Sequence, residues 1–179
     1  MNPGEVEKAL KSMTVLVDSN EQDTERARER YAAFSVPYAR QKLDFGDYTY
    51  NFITESGVPY YRESDARIFP DVVIERKADL TELSNNLIQE KARFEREFKR
   101  ARDRNAKIYL LVENATWQAI YAGHYGTKAH PNAYKSALLA MFARYGITPI
   151  FCPKELSGQL IHDILYRELK ERLEGGFYG

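Results

Sequence analysis

Short apolar runs and longer amphipathic stretches alternate along the chain. The run 15–17 ends on Asp18, and the run 72–74 ends on Glu75-Arg76-Lys77, a pattern typical of buried strands. Further strands are predicted over 38–43, 48–52, 108–112 and 148–152. Helices are predicted from the capping residue Thr24 to 34, from Thr81 as one long helix to about 104, around 117, over 132–145 and over 156–173.

The order of these elements indicates the fold class. Strands dominate the first half and alternate with helices in the second, which predicts an α/β fold with a mixed central sheet flanked by helices. We expect an N-terminal extension over 1–13, a single domain over 14–173 and a C-terminal tail over 174–179. Residues 55–70 read as an irregular insertion or a hairpin extension.

Composition and charge restrict the classes of function that the chain can have. The chain has 179 residues, of which 44% are hydrophobic and 29% charged, and this suits one globular domain with a full core. Lys and Arg together number 26, as do Asp and Glu, so the net charge is zero. A surface that is basic throughout is therefore excluded, and any nucleic-acid contact must come from local patches of positive charge.

Cysteine content and hydropathy indicate the compartment. A lone Cys152 forms no intrachain disulfide and anchors no cysteine-based zinc site. No apolar run approaches the ~18 residues that span a bilayer, and the charged start does not resemble a signal peptide. We expect a cytoplasmic or nuclear protein that is not secreted and contacts no membrane.

The charged end of the 72–77 strand carries the candidate chemistry. Side chains alternate along a strand, so Glu75 and Lys77 share one face and Arg76 takes the other. A hard cation such as Mg²⁺ needs oxygen ligands, usually more than one carboxylate. Asp47, in a turn that Gly46 permits, and Asp18, at its own strand end, are the best additional ligands.

Glu21 is a possible fourth ligand, placed by the turn after Asp18. Such a site would hold a cation that polarises a phosphate oxygen and acidifies a bound water. Lys77 would stabilise the charge that develops on the phosphate, or orient the attacking water. The same residues have plainer interpretations, because an E-x-K pair also forms a surface ion pair and Gly-Asp favours a turn.

Three motifs together resemble one known family. V-L-V-D-S-N-E at 15–21, G-D-Y at 46–48 and V-V-I-E-R-K at 72–77 are similar to the nuclease domain of XPF-type structure-specific endonucleases, which have a restriction-endonuclease-like core. The similarity covers about 14–173, and R-F-E-R-E-F at 93–98 most resembles small stand-alone members from phages and bacteria.

The resemblance implies a role for each matched residue. Asp18, Asp47 and Glu75 would be metal ligands, with Arg76 and Lys77 catalytic or phosphate-positioning. Asn20 stands where the family has Arg, and Thr81 where it has Asp, so either Glu82 replaces that Asp through a small shift or the function of that Asp is absent. The predicted long helix also has an excess of cations that favours a DNA-phosphate surface, namely Lys91, Arg93, Arg96 and Arg100.

We therefore expect an endonuclease that uses Mg²⁺, or Mn²⁺, to hydrolyse phosphodiester bonds in branched, flapped or recombination-intermediate DNA. A Holliday-junction resolvase or an unspecific nuclease of the same fold is the first alternative. A non-catalytic DNA-binding or scaffold subunit of a nuclease complex is an alternative of another class. We also expect a homodimer, because two-fold substrates suit two-fold proteins. A partner nuclease subunit, or replication and recombination proteins, are further candidate partners.

Overall fold

The computed structural model describes residues 1–178 and consists of two compact units. The first unit contains residues 1–72 and those from Gly158 onward, and the second contains 73–157. Six strands form a mixed sheet in the order β2-β1-β3-β4-β5-β6, which confirms the predicted sheet flanked by helices. No helix among residues 1–178 is both long and apolar enough to cross a membrane.

The elements follow one another from the N-terminus with few long connections. In chain order they are α1 (Pro3–Lys11), β1 (Thr14–Asp18), α2 (Glu25–Ala32), β2 (Tyr38–Gln41), β3 (Tyr48–Asn51), β4 (Val72–Lys77), α3 (Leu80–Ile88), α4 (Lys91–Asp103), β5 (Lys107–Glu113), α5 (Trp117–Ala122), α6 (Pro131–Tyr145), β6 (Ile147–Cys152), a 3₁₀ turn (Lys154–Leu156) and α7 (Ser157–Glu174).

In the first unit, β1 lies between two strands of opposite direction. It pairs in parallel with β2, where Asp18 is opposite Gln41, and antiparallel with β3, where Val17 is opposite Tyr48. The apolar run 15–17 is buried because both edges of β1 are paired and both of its faces are covered. This arrangement places Asp18 beside the end of β2 and beside Asp47, the candidate residue that precedes β3.

In the second unit, β5 and β6 pair in parallel from Ile108–Ile147 to Glu113–Cys152. The helices cover apolar strand side chains with the face that the sequence pattern predicts, including Leu83, Leu87, Phe94, Phe98 and Ala101. Glu113 ends β5 and is itself buried, so a charged group closes this strand as it does β1 and β4.

The predicted single helix from Thr81 to about 104 is wrong, because two helices occupy this stretch. α3 ends at Ile88, and the backbone amides of Gln89 and Glu90 both donate to the Asn85 carbonyl, at 2.9 and 3.0 Å. A new helix then begins at Lys91. The break puts half-exposed Ile88 outside the core while Leu87 and Phe94 both remain buried.

The predicted extension over 1–13 contains α1, which the sequence analysis did not identify. Asn2 and Glu5 form a reciprocal capping box, and Pro3 occupies the first turn. Val6 and Ala9 are buried, so this helix belongs to the first unit. In the predicted tail, the Tyr178 hydroxyl donates to Asp71 at 3.1 Å, while position 179 lies outside the described residues.

Candidate active site

Asp18 is buried at the end of β1, and only one of its carboxylate oxygens is engaged. Oδ1 accepts the Leu43 backbone amide at 2.9 Å and lies 3.4 Å from the Lys42 ammonium. No residue of 1–178 bonds to the other oxygen, Oδ2. Asp18 therefore has one oxygen that fixes its position and one that remains available to a ligand.

Asp47 adjoins Asp18 through the backbone. The Asp18 amide donates to the Asp47 carbonyl at 2.8 Å, and the next pair along these strands is Val17 opposite Tyr48. Gly46 has a φ of 71°, in the left-handed region that glycine adopts without strain, which confirms the predicted turn. The Asp47 side chain is partly exposed. The first unit thus brings two of the predicted acids together.

Glu21 belongs to a separate hydrogen-bonded network. Its Oε2 accepts the Tyr48 hydroxyl at 2.9 Å and lies 3.5 Å from Nη2 of Arg30. Arg30 is buried, and its Nε donates to the same hydroxyl at 3.0 Å. These contacts give Glu21 a defined part in holding the β1 turn, and its role as a fourth metal ligand stays a prediction.

Glu75 and Lys77 form a direct pair at the end of β4, as the strand alternation predicts. The Lys77 ammonium lies 2.7 Å from Glu75 Oε1, and both side chains are at least nine-tenths buried. The same ammonium lies 5.0 Å from the centre of the Phe94 ring, a distance at which the ring face attracts a cation. No residue of 1–178 bonds to the second oxygen of Glu75.

Glu82 is a second acid near Lys77. Its Oε1 lies 3.8 Å from the Lys77 ammonium, and its Oε2 accepts the Ala78 amide at 2.7 Å. Thr81, which stands where the resemblance places Asp, instead accepts the Gly126 amide on its hydroxyl at 3.1 Å. Of the two neighbours, Glu82 is therefore the one that the second unit places beside Lys77.

Glu97, on α4, is an acid that the sequence analysis missed. Burial raises its pKa above the ordinary value, and the charge of Glu75 raises it further, while Lys77 acts in the opposite direction. No residue of 1–178 forms a hydrogen bond or ion pair with its carboxylate. Its position one turn after Phe94, whose ring lies beside Lys77, is the sequence signal that could have identified it.

Arg76 takes the opposite face of β4 and pairs with Glu113. The Nη1–Oε2 distance is 3.3 Å, and the Glu113 side chain is only 3% exposed. The atoms Arg76 Nε and Glu113 Oε1 are fully buried, and no residue of 1–178 forms a hydrogen bond with either atom. Burial, followed by the charge of Glu113, raises the pKa of the Cys152 thiol to about 11. The catalytic role predicted for Arg76 stays a prediction.

The cations predicted to contact DNA are exposed along α4. Lys91 and Arg96 make no ion pair with any residue of 1–178, whereas Arg93 lies 3.7 Å from Glu90. Arg100 is exposed as well. Other charges of this helix are paired, Glu95 with Arg144 at 2.7 Å and Lys99 with Asp103 at 2.9 Å. All four of the predicted DNA-contacting cations are thus exposed on this helix, as a phosphate-binding surface requires.

The donor atoms near the candidate residues suit a hard cation. Residues 1–178 contain no group of three or more His, Cys, Asp or Glu arranged as a metal site. At both Asp18 and Glu75, a lysine ammonium faces one carboxylate oxygen, and no residue of 1–178 bonds to the other. The available donors are oxygens, which fit Mg²⁺ or Mn²⁺ better than a soft metal.

Comparison with known proteins supports the resemblance. A family model described as the ERCC4 domain matches residues 17–164. Among solved structures, "XPF from Aeropyrum pernix" aligns with a TM-score of 0.59 and 14% identity, over 92% of this chain and 69% of that one. The same protein in complex with DNA aligns with a TM-score of 0.58 and 17% identity, over 88% and 65%. No curated protein matches.

Two consequences follow from these comparisons. At such low identity the structural matches show the fold, which confirms the restriction-endonuclease-like α/β core. The chain spans about two thirds of the length of the solved proteins that it matches, at 69% and 65%. The finer resemblance to small stand-alone members of phages and bacteria stays a prediction.

Proposed function

The chain belongs to the ERCC4 nuclease-domain family, and we propose that it is a divalent-metal-dependent DNA endonuclease. Its substrates are branched, flapped or recombination-intermediate DNA, in which it hydrolyses phosphodiester bonds. The observation that carries this proposal is the buried contact of 2.7 Å between Glu75 and Lys77 at the end of β4, within the matched residues. The burial of this acid and this amine at a strand end fits phosphate chemistry better than it fits a surface ion pair.

Asp18, Asp47 and Glu75 hold the cation in this proposal, which is Mg²⁺ or Mn²⁺. When bound, such a cation polarises a phosphate oxygen and acidifies a water. Asp18 contributes the oxygen that no residue of 1–178 engages, because its other oxygen is fixed by the Leu43 amide. Glu75 contributes its second carboxylate oxygen in the same way, because its Oε1 faces the Lys77 ammonium.

Lys77 supplies positive charge to the phosphate that is cut. Its ammonium is directed by Glu75 and by the Phe94 ring, and Glu82 lies 3.8 Å away. These contacts limit the orientations that its long side chain can take. Glu82 is the additional acid of the site in this proposal and replaces the family's Asp at position 81.

In this proposal the protein also contacts the DNA at a second place, at a distance from the phosphate that reacts. We assign this contact to the outer side of α4, where Lys91, Arg93, Arg96 and Arg100 are exposed. Such side chains bind the sugar-phosphate backbone and fix the register of the duplex without reading its sequence.

Two copies of the chain pair in this proposal, through apolar side chains of α5 and α6. Tyr121 is 60% exposed and Leu139 44% exposed, and the Trp117 ring rests on Phe151 at 5.2 Å. Light scattering during gel filtration should give twice the chain mass for the native protein and the single mass for Leu139→Asp. The native protein eluting at the single mass would contradict the dimer.

The function itself is tested by incubating labelled flap, fork, four-way and linear duplex DNA with Mg²⁺ or Mn²⁺. Metal-dependent cutting of at least one branched form is expected, and both Asp47→Ala and Glu75→Ala should abolish it while retaining DNA binding. Undiminished cutting by both variants would refute the assignment of ligands. DNA that the native protein binds but never cuts would favour the non-catalytic subunit instead.

A further inference from the structure

The connection between β3 and β4, residues 52–71, is long and makes several hydrogen bonds to other segments of the first unit. Connections of more than about 12–15 residues without regular structure are uncommon in compact domains and usually functional. Its first part is a hairpin in which Ile53 bridges Pro59, and the Asn51 side chain bonds both the amide and the carbonyl of Tyr61, at 2.9 and 2.8 Å. The hydroxyls of Tyr60 and Tyr61 lie 2.8 and 3.4 Å from Asp71 Oδ2.

The second part of this connection lies against the segment 41–44. Ile68 forms a parallel bridge with Leu43, because its amide donates to the Lys42 carbonyl and its carbonyl accepts the Asp44 amide, both at 2.8 Å. Ile68 and Leu43 are buried together with Leu16 of β1. The side chains of residues 62–67 are all exposed.

These contacts place the connection beside the first acid of the candidate site. The Leu43 amide that binds Asp18 Oδ1 belongs to the same residue that bridges Ile68. Leu43 and Ile68 are therefore the two residues between the Asp18 carboxylate and the exposed 62–67 turn. The Gln41 side chain adds a bond from the other side, to the Arg62 carbonyl at 2.9 Å.

Three cations stand at this edge, and each is held by a specific contact. Lys42 lies 3.4 Å from Asp18, and Arg67 Nη1 donates at 2.9 Å to Asp44, whose side chain is only 6% exposed. Arg40 donates to the Ser19 carbonyl at 3.1 Å and to the Glu21 carbonyl, and no carboxylate of residues 1–178 pairs with it.

The guanidinium groups of Arg40 and Arg67 each have further N–H donors. Carbonyls anchor Arg40 through Nη2, and one carboxylate oxygen anchors Arg67 through Nη1, so further N–H groups of each guanidinium stay available. Both side chains are exposed. A planar guanidinium held in this way is preorganised to bind a phosphate, because little rotamer entropy remains to be lost.

We propose that Arg40 and Arg67 form a second DNA-backbone contact, which binds the phosphates beside the bond that is cut. This inference rests on the proposed function, and it adds that the 52–71 connection is a substrate-binding element that sets where DNA enters the site. The ligand is the sugar-phosphate backbone, and neither arginine makes a base-specific contact.

The test measures how DNA affinity depends on salt, in the Asp47→Ala background so that bound DNA is not cut. Each phosphate contact contributes about 0.9 to the slope of log affinity against log salt concentration for duplex DNA. Arg40→Gln and Arg67→Gln should each reduce the slope by about 0.9 and weaken binding about eightfold at roughly 0.1 M salt. Lys42 is left unchanged because it touches Asp18.

Two controls separate charge from structure. Arg167→Gln removes another exposed arginine, which lies 3.4 Å from Glu171, and should leave the slope unchanged. Arg40→Lys keeps the charge and should restore most of the slope that Arg40→Gln loses. Slopes for Arg40→Gln and Arg67→Gln that equal the Arg167→Gln slope would overturn the inference. The result does not depend on cleavage, so a native protein that never cuts DNA would refute the proposed function alone.

Discussion

At the residue scale, the acids of the candidate site are held by cations and amides of the chain itself. Asp18 faces Lys42, and Glu75 faces Lys77, with only one oxygen of each acid engaged. Buried carboxylates repel one another and carry a desolvation penalty unless a cation is nearby. The lysines supply part of that compensation, and a divalent cation would supply more.

Glu97 makes this argument testable without any cleavage assay. Ionising its carboxyl costs more in the folded protein than in the unfolded chain, because burial and Glu75 raise its pKa. This destabilisation is present at neutral pH and disappears as the pH falls through the raised pKa toward the unfolded value. Metal-free Glu97→Gln should therefore melt higher than the native protein at neutral pH, and the difference should close in acid.

Thermal melting across pH measures this effect, and Glu95→Gln on the same helix is the matched control. Glu95 pairs with Arg144 at 2.7 Å, so its loss should not raise the melting temperature. A Glu97→Gln protein that melts no higher than the native one at neutral pH would refute the electrostatic account of this residue.

Sequence motifs identify the acids, but not the groups that face them. Gly46-Asp47 and the E-R-K strand end were recognisable because turn and strand geometry act over a few residues. Lys42 is far from Asp18 along the chain, and only the parallel pairing of β1 with β2 brings the two together. Long-range partners of this kind depend on strand register, which hydrophobic pattern alone leaves open.

At the element scale, the Arg76–Glu113 pair links the ends of β4 and β5. Both side chains are largely buried, and their charged groups lie 3.3 Å apart. Removing one member would take this compensation away from the buried charge of the other. Glu113→Ala should therefore lower the free energy of unfolding by about 3–5 kcal/mol.

Replacing both members with apolar residues should cost much less than removing one. Arg76→Met with Glu113→Leu is the matched double variant, because the desolvation penalty then disappears together with the attraction. Urea denaturation measures both changes. A double variant less stable than Glu113→Ala would contradict this expectation. It would show that the attraction within the pair exceeds the cost of burying its two charges.

Gly158 tests the packing of α7 on α2. A Cβ at this position would lie 2.4 Å from the Arg30 carbonyl oxygen and 2.8 Å from the Ala33 Cβ, which is closer than these atoms tolerate. Gly158→Ala should therefore destabilise the protein by about 1–3 kcal/mol despite its better helix propensity. Gly4→Ala is the control, since its nearest neighbour would be 3.4 Å away. Equal stability of the two variants in urea would contradict this packing.

Helix boundaries were only partly predictable. Thr24 caps α2 as expected, because its hydroxyl accepts the Ala27 amide at 3.1 Å and cap chemistry is local. The Asn2-Pro3-Glu5 signature of α1 was equally local and was overlooked. The break at Gln89 had no such signal, since no Gly or Pro stands there, and backbone amides turning to Asn85 produce it.

At the scale of the whole molecule, element order predicted the class of sheet but not its connectivity. Strands followed by alternating helices and strands imply an α/β fold, and the mixed sheet agrees. The chain pairs β1 with β2 in parallel and with β3 antiparallel, a choice that depends on packing of the connections. Residues 55–70 of the connection between β3 and β4 were predicted only as an irregular insertion or a hairpin extension, since Leu43, the partner of Ile68, lies far along the chain.

The central claim is that Asp47 and Glu75 bind the same ion. Mn²⁺ titration followed by electron paramagnetic resonance measures this directly in the native protein, Asp47→Ala, Glu75→Ala and the double variant. Ligands of one ion are strongly coupled, so the double variant should bind Mn²⁺ no more weakly than the weaker single variant. Losses in binding free energy that simply add, or two ions lost separately, would contradict the account.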